Sequence, residues 1–322
     1  MKIKNRLFAL ALVAALLIPG SGVFAQEKLP VVGIVQFVEH PALDAAYQGF
    51  VDALKDQGYE DGKNITFDYQ NAQASPDILA AIADRFIANK VDLILAIATP
   101  AALTMAGKTE TIPILGTAIT DYVVAKLAKS NEEPGFNVSG TTDMNPIEDQ
   151  ILLLQKLAPQ AKTVGLLYTG SEPNSVLQAK IATQAIEAAG MQVKEIKINN
   201  SNDVQQAITS LVDQVDAIYL PTDNTVASAM PIVGEVTMAK KIPVICGEAG
   251  MVSGGGTATL GISYYNLGWQ TGLMAIDVLK NGADVSKMPI QAQTTFEYAF
   301  NLENAAAIGL VIPQELLDLV QK

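Results

Sequence analysis

The run Val215-Asp216-Ala217-Ile218-Tyr219-Leu220 reads as a strand covered on both faces, because a short apolar run closed by turn formers is what a buried parallel strand looks like. Pro221 ends it. Asp223 or Asn224 then stands where the cap of a helix starting near Thr225 belongs. The same unit occurs earlier, where Val91 to Ala98 runs into Thr99-Pro100. Aligning Asp92 with Asp216 sets Thr99 opposite Asp223. A chain carrying this strand-to-cap unit twice is constrained to two related halves. In open α/β sheets, side chains just past the strands' carboxyl ends face the ligand.

The rest of the chain keeps the rhythm. Strands are expected at Val31–Phe37, Ile65–Tyr69, Val91–Ala98 and Ile112–Leu115, with helices over Leu43–Gln57, Pro76–Ala88 and a short one from Pro100. After a helix at Pro146–Leu157 the pattern restarts. Strands are expected at Thr163–Tyr168, Gln192–Ile198, Val215–Leu220 and Ile242–Cys246, and helices at Ser175–Ala189, Asp203–Val212 and from Thr225 to Lys240. Val164-Gly165-Leu166-Leu167 echoes Val32-Gly33-Ile34-Val35, and Ile242-Pro243-Val244 echoes Ile112-Pro113-Ile114. Each half reads βαβαβαβ, so the fold class is α/β: two doubly wound parallel-sheet lobes. A strand at Ala258–Ser263, a helix at Leu267–Leu279, a strand at Gln291–Tyr298 and a helix at Gln314–Val320 repeat neither half. The tail therefore implies several crossings between lobes, near Asn137–Pro146, Ser263–Leu267 and Met288–Phe296, which together make a hinge. The expected lobes are residues 29–143 with about 264–290, and 144–263 with about 291–322.

Residues 1–25 read as a signal peptide: Lys2, Lys4 and Arg6, then the apolar Leu7 to Ile18, then Val23-Phe24-Ala25 before the cut. The apolar run is shorter than the roughly 20 residues of a membrane span. No cysteine near the cut offers lipid attachment, so a soluble periplasmic or extracellular product is expected. The net charge of −12 argues against nucleic acid or an anionic membrane as partner. One cysteine, Cys246, forbids an intrachain disulfide, and one histidine, His40, forbids a His-rich metal site. No phosphate-loop, dinucleotide or nucleophile-elbow signature occurs. Ser253-Gly254-Gly255-Gly256 leads directly into no helix and reads as a turn. No enzyme, cofactor or metal is expected.

What remains is a polar set at strand tips. Thr99, with the N–H groups of the helix it opens, offers donors suited to a carboxylate. Thr120 and Asp121 follow the fourth strand. Asp223, Asn224 and Glu248 end strands of the second half and suit an ammonium group. A zwitterionic amino acid carries both ends. Phe37, Tyr168 and Tyr264 offer rings to a flat side chain. His40 follows the first strand, and Asn174-Ser175 opens a helix. Plain capping explains Thr99, Asn174-Ser175 and Asp223 as well, and the two roles are compatible.

Gln36-Phe37-Val38-Glu39-His40-Pro41-Ala42-Leu43-Asp44, Ala98-Thr99-Pro100-Ala101-Ala102, Asn174-Ser175 and Pro221-Thr222-Asp223-Asn224-Thr225 together resemble the ABC-transporter substrate-binding proteins of the TrpX-like group. The resemblance spans nearly all of the chain after the signal. It implies a type I periplasmic-binding fold with a closing hinge, and tryptophan, tyrosine or phenylalanine as ligand. It also implies that Phe37, His40, Thr99, Asn174, Ser175, Asp223 and Asn224 line the cleft. The expected partners are an amino acid and an ABC permease with its ATPase, the protein itself acting as a monomer. The alternative is a sensory binding module of the same fold, with a sugar or nucleoside as ligand.

Overall fold

The computed structural model describes residues 29–320, so the signal segment lies outside the described residues. The first half contains β1 (Val31–Gln36), α1 (Pro41–Asp56), β2 (Thr66–Asn71), α2 (Pro76–Asn89), β3 (Leu93–Ile97), α3 (Thr99–Lys108), β4 (Ile114–Ile119) and β5 (Val138–Thr142). The second holds α4 (Ile147–Leu157), β6 (Thr163–Thr169), α5 (Pro173–Ala188), β7 (Gln192–Ile198), α6 (Val204–Val212), β8 (Ala217–Leu220), α7 (Asn224–Ser228), α8 (Met230–Lys240), β9 (Val244–Cys246), α9 (Ala249–Ser253) and β10 (Ala258–Gly261). The tail supplies α10 (Tyr264–Asn281), β11 (Gln291–Ala292), β12 (Glu297–Phe300), α11 (Leu302–Ile308) and α12 (Gln314–Val320).

The duplication is literal in the topology. One sheet runs β2-β1-β3-β4-β5-β11 and the other β7-β6-β8-β9-β10-β12. All neighbours pair in parallel except β12, which lies antiparallel to β10. In each sheet the strand order reverses between the first strand and the third, at β1/β3 and β6/β8. That reversal opens a crevice at the strands' carboxyl ends. Alternation sorts the second lobe's core. Ala217 and Tyr219 join the cluster with α4 and α5, while Ile218 and Leu220 join the one with α6 and α8. In the first lobe, α1 and α10 touch backbone to backbone. A side chain at Gly268 would meet the Ala46 carbonyl at 1.8 Å, and one at Gly49 the Tyr265 carbonyl at 2.0 Å.

Several elements differ from expectation. The polar Val138–Thr142 is a strand, because its hydroxyls find partners. Ser139 donates to the Met288 carbonyl, and Thr141 lies 2.9 Å from the Thr271 hydroxyl. β4 runs on to Ile119 beyond the expected Leu115. The helix expected from Thr225 to Lys240 breaks at Ala229 into α7 and α8, where Pro231 cannot continue a helical hydrogen-bond ladder. The single strand expected over Gln291–Tyr298 is two, and they belong to different sheets. The chain thus passes between sheets three times: after β5, after β10, and between β11 and β12.

Candidate functional site

The two sets of strand tips face each other and wall a narrow cavity whose free volume is about 10 Å³, on the order of one water molecule. The first lobe gives His40, Ala118 and Tyr264. The second gives Asn174, Thr222, Asp223, Asn224 and Glu248, and Asp143 comes from the crossing after β5. None of the lining residues is lysine or arginine.

His40 is set by α1, whose entry it occupies in an extended conformation. Its Nε2 lies 3.3 Å from Asn224 Oδ1, a contact from lobe to lobe. Asn224 Nδ2 donates to Glu172 Oε2 at 2.6 Å, which turns the amide oxygen toward the ring. Nε2 is therefore the donor, and Nδ1 keeps a free lone pair. Burial lowers His40 to about 4, so the imidazole is neutral at ordinary pH.

Three acids, Asp143, Asp223 and Glu248, line the cavity, and Glu172 stands behind Asn224; Glu172, Asp223 and Glu248 have their oxygens occupied. Glu172 accepts from Asn224, from the Thr225 N–H at 3.0 Å and from the Thr225 hydroxyl at 2.7 Å. Asp223 accepts from the Thr169 N–H at 2.6 Å, the Thr169 hydroxyl at 3.0 Å and the Val226 N–H at 2.8 Å. Glu248 caps α9 through the N–H groups of Gly250 and Met251. Asp143 differs. Oδ2 accepts from Tyr264 at 2.6 Å, while the buried Oδ1 makes no hydrogen bond of normal geometry, with the Thr120 hydroxyl beside the carboxylate. Burial raises Asp143, Asp223 and Glu248. Asp223 reaches about 7, with the charge on Glu172 adding to burial. Glu248 reaches about 7, and Asp143 is raised as well.

The orphaned buried atoms concentrate here. His40 Nδ1, Asp143 Oδ1, Asn174 Oδ1 and Thr222 Oγ1 all belong to cavity-lining residues and lack partners. Asn174 Nδ2 already donates to the Thr222 carbonyl at 3.1 Å, so its oxygen is the end left over. Three acceptors and one hydroxyl are a set that calls for a donor-rich group.

The other expected residues are placed as follows. Thr99 opens α3 with its hydroxyl buried and unpartnered, directly after Ala98, whose φ of 83° is rare outside glycine. The first N–H groups of α3 have no intrahelical acceptor. Thr99 is not among the residues walling this cavity. Its neighbour Pro100 lines a second gap between the lobes, together with Phe37, Glu172 and Thr225. Thr120 accepts from Gln178 Nε2 at 2.9 Å, a second lobe-to-lobe bond. Asp121 caps the turn beyond β4 through the Val123 and Val124 N–H groups. Ser175 is buried beside Asn174. Tyr168 lies in the core cluster with α4 and α5, and its hydroxyl donates to Glu195.

Sequence reasoning missed Asp143, Glu172 and Gln178. Asp143 follows β5 directly, so the strand-tip rule finds it once β5 is recognised. Glu172 and Gln178 flank the Asn174-Ser175 pair on the same helix entry.

Residues 31–322 match the family model described as ABC transporter substrate binding protein. A tyrosine-binding protein of Clostridioides difficile (strain R20291) is 44% identical over 284 residues, 88% of this chain and 82% of that one. The crystal structure of an ABC domain in complex with L-Trp from Streptococcus pneumonia superposes with a TM-score of 0.87 at 35% identity, covering 91% of this chain and 98% of that one. A ligand-free, open structure of a substrate binding protein with adhesive properties from Clostridium difficile gives 0.67 at 45% identity, covering 88% and 96%. The more similar sequence superposes less well, so the lobes here stand nearer the tryptophan-bound arrangement.

Proposed function

Since this chain belongs to the ABC transporter substrate-binding protein family, we propose that it captures an aromatic amino acid between its lobes and hands it to an ABC permease with its ATPase. The observation that carries the ligand class is the acceptor-rich set of orphaned atoms: Asp143 Oδ1, Asn174 Oδ1 and His40 Nδ1. A primary ammonium brings three N–H donors, and a neutral sugar brings no charge to offset buried carboxylates. Thr99 and the free N–H groups of α3 suit the carboxylate of the same zwitterion. A tyrosine-binding relative and a relative solved with L-Trp support an aromatic side chain, for which Phe37 offers a ring in the second interlobe gap.

The lobe boundaries fall, in this reading, at the three crossings, near residues 143–146, 262–263 and 293–296. Export follows from the N-terminal segment, and no helix among the described residues is long and apolar enough to cross a membrane. The test is a thermal-shift screen of tyrosine, tryptophan and phenylalanine against sugars and nucleosides, followed by calorimetry on the hits. A response to sugars or nucleosides alone overturns the ligand class.

A further inference from the structure

We infer that Asp143, carried on the hinge itself, is the counter-ion for the ligand's α-ammonium, and that the strand-tip acids Asp223 and Glu248 are not. The inference rests on the amino-acid reading above.

Four acids compete for the role, and their bonding separates them. Asp223 holds Thr169 and caps α7, with both oxygens engaged. Glu172 fastens the entry of α7 through four donors from Asn224 and Thr225. Glu248 spends one oxygen on each of two N–H groups of α9. Asp143 is 2% exposed and lines the cavity, and it alone of the four has a buried oxygen without a hydrogen bond of normal geometry, only the Thr120 hydroxyl standing beside the carboxylate. Tyr264 at the entry of α10 fixes its other oxygen. A buried carboxylate left this way needs a cation, and none of the lining residues supplies one.

The position adds a second argument. Asp143 sits in the crossing after β5, and its N–H donates to Ile119 in the first lobe. Two residues on, Asn145 accepts from the Ile262 N–H at 3.0 Å, in the crossing after β10. Two of the three lobe connections therefore meet at this carboxylate. An ammonium bound there is held by the joint on which the lobes turn.

The test compares L-tyrosine with its des-amino analogue, 3-(4-hydroxyphenyl)propanoate, on wild type, Asp143→Asn, Asp143→Glu and Asp223→Asn. Calorimetry should find tyrosine binding weakened about 100-fold or more in Asp143→Asn. The analogue should lose less than about threefold, because it brings no charge to be matched. Asp143→Glu keeps the charge and should recover part of the loss, and either Asp143 variant that folds decides the matter. Equal losses for both ligands, or a larger tyrosine-selective loss in Asp223→Asn, would overturn the assignment. Wild type that binds no aromatic amino acid sinks the ligand class instead, so the two failures are distinct.

Discussion

Tyr264 donates its phenolic hydrogen to Asp143 at 2.6 Å, and so joins the entry of α10 to the crossing that leaves β5. Both groups are buried, and the bond is charge-assisted whenever Asp143 is ionised. Tyr264→Phe should destabilise the protein by about 1.5–3 kcal/mol. It should also weaken tyrosine binding, because Asp143 then ionises less readily. Denaturant unfolding and calorimetry check the two effects. Unchanged affinity would mean that the carboxylate is not engaged.

Asp223→Ala should act on stability before it acts on binding. The substitution removes the α7 cap, worth about 0.5–2 kcal/mol, and leaves the buried Thr169 N–H without its acceptor, worth about 1–3 kcal/mol more. The expected signature is a lowered melting temperature with a smaller loss of tyrosine affinity than in Asp143→Asn. A purely ligand-side effect, with melting unchanged, would return the ammonium to Asp223.

Gly250 stands in α9 against the start of α1, and a Cβ there would lie 2.8 Å from Glu248 Oε2 and 2.9 Å from the Ala42 nitrogen of the opposite lobe. Gly250→Val should therefore hold the lobes apart and also press on the Glu248 carboxylate that caps α9. Tyrosine affinity should fall by about tenfold or more, on the scale of about 1–3 kcal/mol for overpacking. The shrinkage on ligand addition seen by small-angle scattering should be reduced. Normal shrinkage would show that the contact yields.

Thr99→Val should cost less than about 1.5 kcal/mol in tyrosine binding, because the N–H groups of α3 remain. Tyramine, which lacks the carboxylate, should bind poorly to wild type and variant alike. Tight tyramine binding, measured by calorimetry, would deny the carboxylate role to this end of α3.

Ligand binding and apo stability should move in opposite directions with pH. Glu248 is raised from 4.5 to about 7 by burial, and Asp223 is raised too. A raised acid contributes stability that is full below its unfolded value and is lost as pH climbs through its folded value. His40 is lowered from 6.5 to about 4, so its contribution is present above 6.5 and lost on acidification. From about pH 6.5 to 7.5 only the acids act. Over that window the free protein's melting temperature should fall and then level. An ammonium at Asp143, which burial also raises, favours the ionised carboxylate, so tyrosine should bind more tightly as pH rises. Melting curves with and without saturating tyrosine should therefore separate as pH rises, and parallel curves would contradict this.

Strands and helices with strong apolar periodicity were legible in the sequence, and so was the repeated strand-to-helix unit, although Thr99 is the first residue of α3 and caps nothing, whereas Asp223 is itself the cap of α7. Both observed sheets carry the strand order that the repeat implies. Val138–Thr142 was not legible, because its Ser and Thr side chains are satisfied by distant partners such as Met288 and Thr271. Losing that strand hid Asp143 behind it. The part played by Asp223 was also illegible. An acid at a helix entry looks the same in sequence whether its oxygens meet a ligand or Thr169, and only the hydrogen bonds distinguish them.

Three passages of chain between the sheets do more than hold the halves together. A single tether would let the lobes twist and slide as well as swing. Three side by side leave little besides bending about one axis. Capture then has one degree of freedom, and a molecule seated at the pivot can govern it with a few well-placed bonds.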